Sequence, residues 1–325
     1  MKRNLLITFA FVLSLGQTLM AQSKVKFTVT PQLSQNFGLT EYIMDISLPY
    51  NEGIYVLKSQ LEFPLDVVMA GVTVGLHSTR DTLYAWSLEG GYFSNIDNPG
   101  GVMKDHDWET DTTTWRVEKF SYTESRAEMK STLITVEGYL RVLQRQHFGL
   151  DLWGGFRYQK IEQDIIGYDG WQIDTNGVRH TVSGIEKGIY YKVTYKSPHL
   201  GLRSNIRLRH HTVISAKAAF ALVWASDFDD HLLRNKTATA DITGKGFISG
   251  VSIRHQMPRT GKIQPFFELA SEFAYHHASG IQTQSWYGDD PITPDVDDTG
   301  TILLGIPHEI NSRQVSVGLR LGLGF

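Results

Sequence analysis

The sequence predicts an all-β protein, a ten-stranded antiparallel transmembrane β-barrel with long extracellular loops. Three observations predict it. Apolar and polar residues alternate with a period of two in several separate stretches, the chain closes on such a strand ending at Phe325, and short connections take turns with long ones.

The start of the chain reads as processing information. Lys2 and Arg3 are a positive opening, residues 5–15 an apolar run, and Leu19-Met20-Ala21 a small-residue approach to a cut before Gln22. That is the layout of a secretory signal peptide over 1–21, leaving 22–325 as one barrel domain. The run falls short of the ~20 apolar residues that a spanning helix needs, and no later stretch comes closer. The 325 residues include no cysteine, which excludes a disulfide framework and a thiolate metal site. A net charge of −3 gives no reason to expect nucleic acid.

The carboxyl end shows the alternation most clearly. Val315, Val317, Leu319, Leu321, Leu323 and Phe325 share one face, and Ser316, Gly318, Arg320, Gly322 and Gly324 the other. A terminal aromatic of this kind resembles the carboxyl-terminal signal of bacterial outer-membrane barrels. Phe148, Leu150, Leu152, Phe156 and Tyr158 likewise oppose Asp151, Arg157 and Gln159. Leu200, Leu202, Ile206 and Leu208 oppose Arg203, Asn205 and Arg207. Ile214, Phe220, Leu222 and Trp224 oppose Ser215 and Lys217, and Phe267, Leu269, Phe273 and Tyr275 oppose Glu268 and Glu272. Parity alone fits a soluble barrel as well as a membrane one. The leader, Phe325 and the connections favour lipid outside and a polar lumen.

Short connections fall near 78–81, 144–147, 209–211 and 258–262. Long ones cover about 94–125, 167–188, 233–244 and 288–308, with a smaller one at 49–53. Their alternation puts turns in the periplasm and loops outside, and the strands between them number ten. Several segments run near twenty residues where about 9–11 would span a bilayer. The barrel should therefore stand well above the membrane.

Two acidic clusters lie at the extracellular end of this topology. One is Asp105-His106-Asp107-Trp108, in the first long connection. The other is Asp227-Phe228-Asp229-Asp230-His231, where the strand beginning near 212 leaves the membrane. Ser215 and Lys217 put odd positions of that strand in the lumen, so Asp227, Asp229 and His231 line the mouth if the strand continues. A carboxylate beside an imidazole can fix the ring's tautomer and raise its basicity, as a water-activating base requires. Carboxylates spaced by two are also hard oxygen ligands that suit calcium.

Gly100-Gly101-x-Met103-x-Asp105-x-Asp107-Trp108 resembles a motif of the omptins, outer-membrane endopeptidases on ten-stranded barrels, and Asp227-x-Asp229-acidic-His231 is similar to their second motif. Agreement continues at Ser59-Gln60-Leu61, Trp115, Tyr191-Lys192 and Pro198-His199-Leu200-Gly201-Leu202. The resemblance implies Asp105, Asp107, Asp229 and His231 as catalytic residues that activate a water with no covalent intermediate. It implies Asp227 and Glu41 as an acidic pocket for a basic side chain before the cut. It implies no metal or cofactor, an outer-membrane location with the site facing outward, a monomer, and peptide substrates with basic residues. Lipopolysaccharide is implied as an activator bound on the outer face, where Lys160, Lys192 and Lys196 share parity. Snorkelling lysines with no specific ligand would look the same.

One departure bears on specificity. Trp115 is followed by Arg116-Val117 where the family has an acid, although Glu118 is adjacent. A different function class, a non-catalytic porin or adhesin on the same scaffold, stays open. A barrel phospholipase would need a serine beside a histidine on the lipid side, and no convincing pair is present. His210-His211 falls in a periplasmic turn, His276-His277 in a strand with no partner to name, and the acidic run 289–298 reads as a solvated loop.

Overall fold

The computed structural model describes residues 25–50, 53–78, 83–174, 176–209, 211–291, 293 and 296–325. The leader expected at 1–21, most of the turn at 78–81, and His210 lie outside them. The strands are β1 (Val25–Tyr50), β2 (Gly53–Pro64), β3 (Val67–Ser78), β4 (Trp86–Asn95), β5 (Pro99–Asp111) and β6 (Arg116–Gln144). They continue as β7 (Phe148–Ile173), β8 (Arg179–Arg209), β9 (Thr212–His231), β10 (Lys236–Gln256), β11 (Gln264–Trp286) and β12 (Ile302–Gly324). All pairings are antiparallel, and β12 returns to β1 to close the sheet.

Twelve segments make ten staves. β2 and β3 are the upper and lower parts of one stave, and β5 and β4 of the next. The interruptions lie side by side at Leu65-Asp66 and Ile96-Asp97-Asn98. Backbone groups freed there are recaptured. Leu65 N donates to Gly38 O at 3.0 Å, Ile96 N to Val68 O at 2.9 Å, Val68 N to Asp97 Oδ1 at 2.8 Å, and Ser131 N to Asn95 Oδ1 at 2.7 Å.

The polar connections hold more strand than their sequences predicted. β6 runs for 29 residues and β8 for 31, so much of 94–125 and 167–188 is hydrogen-bonded wall rising above the bilayer. Among the described residues, those between strands at the outer rim are 112–115, 174, 176–178, 232–235, 287–291, 293 and 296–301.

The two faces are those of a membrane barrel. Leu33, Phe37, Leu152, Phe156, Leu200, Phe220, Leu222, Leu269, Val317 and Leu319 are exposed on the outside. Inside, at that level, Lys217 Nζ lies 2.7 Å from Glu272 and 3.6 Å from Glu137, and Arg157 Nη1 lies 2.7 Å from Glu272. Arg320 and Arg254 hold Glu268 at 3.0 and 2.5 Å. Arg203 pairs with Asp151 at 2.7 Å, and Arg141 pairs with it as well. Above this charged ladder, Leu61, Phe63, Met69, Met103, Met129, Ile161, Ile165 and Tyr191 form an apolar layer across the lumen. Phe63 and Tyr191 stack at 4.0 Å within it.

Removing one member of a buried ion pair strands its partner, typically at about 3–5 kcal/mol. Glu272→Gln leaves Arg157 without its carboxylate and Lys217 with Glu137 alone. It should lower the temperature at which the barrel loses its gel-shifted folded form. Glu41→Gln, on the outer wall, should leave that temperature within error of the parent.

Candidate active site at the barrel mouth

The inner face of β9 reads Ala219, Ala221, Val223 and Ala225, all buried, because little space remains between facing walls. The same parity then delivers Asp227, 7% exposed, and Asp229, fully buried. His231 ends the strand and opens the tight 3-10 turn Leu232–Arg234, closed by Asn235 at φ 49°. His231 Nε2 is 2.8 Å from Asp229 Oδ2. A carboxylate can only accept, so Nε2–H donates and Nδ1 is left with the lone pair.

The turn is held from the side. Arg234 Nε and Nη2 donate to Asp290 Oδ2 at 3.0 and 2.8 Å, Trp286 Nε1 donates to the same oxygen at 3.2 Å, and Asn235 Nδ2 donates to Asp289 O at 2.7 Å. The run 289–298 is therefore not wholly a solvated loop. Asp290 is 1% exposed and fastens the turn beneath His231.

The second acidic pair comes from the far wall. Going round the ring, β5 is four steps from β9 through β8, β7 and β6, and six steps through β10, β11, β12, β1 and β2. Gly101 has φ +102°, and a Cβ there would sit 3.1 Å from Pro64. A side chain would strain this bend, which starts β5 close to the end of β2. From the bend, odd positions point inward: Met103 is 1% exposed, followed by Asp105 and Asp107. His106 and Trp108 stay on the outer wall, 5.7 Å apart, with Lys119 Nζ 2.7 Å from His106 Nδ1.

Burial above the apolar layer raises the proton affinity of Asp105, and the charges of Asp107 and Asp229 raise it further. Burial also raises Asp107, against a hydrogen bond to Ser59 and the fields of His231, Arg234 and Lys236. The two walls therefore feel each other. Asp105 Oδ1 and Asp229 Oδ1 have no hydrogen-bond partner among the described residues and face the space between the walls.

Beneath the dyad lies a second Asp–His pair that sequence reasoning missed. Asp227 Oδ2 is 3.0 Å from His308 Nε2, and His308 Nδ1 is 3.1 Å from Ile43 O. The Tyr42 ring lies 4.3 Å from the imidazole, and its hydroxyl donates to Gln282 at 2.5 Å. Burial raises Asp227, while the bond to His308 pulls the other way. Glu41, expected beside Asp227, is not there. Tyr42 and Thr40 occupy the inward positions of β1, so Glu41 faces out, 3.7 Å from Arg313.

These observations meet a sequence match. The omptin family profile matches residues 51–291, about three quarters of the chain. The chain belongs to the omptin family. The outer membrane protease OmpT from Escherichia coli superposes with a TM-score of 0.67 over 91% of this chain and 96% of that one, at 16% identity, which establishes a shared fold. The translocator domain of the autotransporter NalP from Neisseria meningitidis is a more distant likeness, with a TM-score of 0.32 and 10% identity over 96% and 94% of the two chains. No curated protein matches the sequence.

For this omptin, the register also places the remaining expected residues. Lys160, Lys192 and Lys196 are all on the outer face, on neighbouring strands: Lys196 pairs with Tyr158, and Lys192 with Glu162. Lys160 Nζ is 2.8 Å from Glu162. A bulge opposite Asp107-Trp108 turns Lys119 to the outer wall, so Val117, 48% exposed, falls on the outer parity, and Glu118 pairs with Glu109 on the parity of Asp107. Glu118 rather than Val117 is thus the residue turned to the cleft side of the rim. His276 is buried in the lumen against Tyr195, and His277 faces out to Asn311.

A carboxyl whose proton is held more tightly in the folded state costs stability once the pH exceeds its unfolded value near 3.9. For Asp105 that cost is present at neutral pH and disappears on acidification. Asp105→Asn should therefore raise the melting temperature at about pH 8, with the gain shrinking towards about pH 4. Equal gains at both pH values would show that charge is not the cause.

Proposed function

We propose that this omptin is an outer-membrane endopeptidase whose dyad, Asp229 and His231, activates water between two facing walls of the barrel. The 2.8 Å Asp229–His231 contact on the inner wall carries the reading, because it leaves Nδ1 free above a polar cleft. His231 Nδ1 takes a proton from water as the oxygen attacks the scissile carbonyl, and returns it to the departing amine. No covalent intermediate is required. Asp105, whose burial favours the protonated form, donates to the carbonyl oxygen as negative charge builds there. Asp107 remains the ionised partner of the pair, supported by Ser59.

Asp227 supplies the affinity for a lysine or arginine before the cut, through the oxygen that His308 does not engage. With Glu41 outside, a single carboxylate carries this preference. After the cut, Glu118 takes the cleft side in place of Val117, so a preference for a basic residue is expected there as well. The apolar layer and the ion-pair ladder fill the lumen below the mouth, which weighs against the porin alternative.

A library of fluorogenic peptides tests both chemistry and preference. Wild type should require lysine or arginine before the bond and favour a basic residue after it, with activity surviving exhaustive chelation. His231→Ala and Asp229→Asn should each lower turnover by about 10²–10⁴-fold while the barrel stays folded. Wild-type turnover in His231→Ala would remove the dyad, and loss with chelator restored by calcium would favour a metal role for the carboxylates.

Lipopolysaccharide is the proposed activator, docked by its phosphates on Lys160, Lys192 and Lys196. Lys160→Glu combined with Lys196→Glu should reduce activation by added lipopolysaccharide without changing the melting temperature. Equal activation of both proteins would take these lysines out of that role.

A further inference from the structure

Lys236 opens β10 immediately after the tight turn and is the register partner of His231 across the β9–β10 ladder. It has the inward parity of Ala238, Ala240 and Ile242 and is 6% exposed. Its ammonium lies 5.8 Å from the centre of the Trp286 ring. The charged groups around it come from every neighbouring element: Asp229 and His231 on β9, Arg234 in the turn, Asp107 and Asp105 on β5, and Asp290 beyond β11. Burying an ammonium without a close carboxylate is expensive, and Lys236 forms no ion pair among the described residues. Packing against Trp286 would be served as well by methionine.

The carboxylates explain the charge. Asp105 lies under a poorly solvated roof, where Asp107 and Asp229 oppose its ionisation. Of the two cationic side chains nearby, Arg234 is committed to Asp290 by two hydrogen bonds. We propose that Lys236 is a positioning residue for the reaction, the counter-charge to Asp107 and Asp229 beside His231. This rests on the proposed hydrolytic reading of the mouth. Burial and Arg234 lower Lys236 to about 8, while Asp229, Asp290 and Asp107 pull the other way. The ammonium is therefore lost slightly above neutral pH, and the working charge state goes with it.

The test is kcat/KM against pH for an arginine substrate, whose own charge is constant over the range. Wild type should lose activity above about pH 8. Lys236→Arg keeps its charge, so its alkaline limb should move up by a full pH unit or more. Lys236→Met should lose roughly tenfold or more in kcat at neutral pH, and its acid limb should move up because the carboxylates ionise less readily. A merely structural lysine would change the melting temperature and leave both limbs in place. Superimposable profiles for wild type and Lys236→Arg, or a wild-type profile flat to about pH 10, would overturn the proposal.

A measurement without turnover separates this inference from the reading it rests on. The Cε resonance of Lys236, assigned by its loss in Lys236→Met, should titrate near pH 8 in detergent micelles and at lower pH in Asp229→Asn. Titration near 10.4, the ordinary lysine value, overturns the inference even if the protein is an active peptidase. An inactive wild type with the expected titration overturns the hydrolytic reading, and with it the role given to the lysine.

Discussion

A strand in lipid has no water to satisfy its backbone, so every N–H and C=O must be paired within the protein. In this chain the requirement is met at one seam, where β1 from Thr28 to Met44 pairs with β12 from Gly324 to His308. Closure fixes the rest. It gives each residue one of two sides, and it forces the charged residues on the inner side to neutralise one another. Lys217, Glu272 and Arg157 are packed together because neither water nor lipid is there to receive them. The seam also brings His308 alongside Ile43 and under Asp227, although 81 residues separate the two side chains.

Along the barrel axis the surroundings change in steps. The ion-pair ladder lies at the depth of the bilayer, the apolar layer of Phe63, Met103 and Tyr191 lies above it, and the acidic mouth stands at the top. The apolar layer makes the mouth chemically useful. It strips water from Asp105 and raises its proton affinity while Asp107, one alternation higher, still has Ser59 to hold its charge. Two carboxyls from one short motif thus acquire different protonation behaviour from different surroundings, the condition under which a carboxyl pair can divide acid and base roles. The cost is stability, concentrated at the site itself.

How much of this was legible in the sequence depends on parity and register. Parity is local, and it placed Asp227, Asp229, His231, Lys160, Lys192 and Lys196 on their correct sides. The same rule excludes Glu41 from the lumen, since it shares the odd parity of outward-facing Phe37. There the family pattern outweighed a signal already present in β1. Register is not local. His308 stood at the end of a polar connection, and Lys236 inside another, and nothing in either segment says what lies across the sheet. Both became visible only once the β9–β10 and β1–β12 ladders were known. Asp290 was misread for a related reason: acidic residues near a loop look solvated until Arg234 and Trp286 are seen to converge on one of them.

The connections that follow β5 and β9 are short, so the chemistry sits on wall rather than on loop. Asp229 and His231 end one stave, and Asp105 and Asp107 lie within another four steps away around the ring. Relative movement of the two pairs would require shearing ladders that are hydrogen-bonded on both sides, so their separation is set before any substrate arrives. Preorganisation of this kind favours a transition state that spans the gap over a ground state that must adapt to it. It also selects the substrate by shape. A peptide must reach down between walls extended by β2, β5, β6 and β8, so an extended, flexible segment enters where a folded surface cannot. Under the proposed function, charge then decides among those segments, through Asp227 at the floor and Glu118 near the rim.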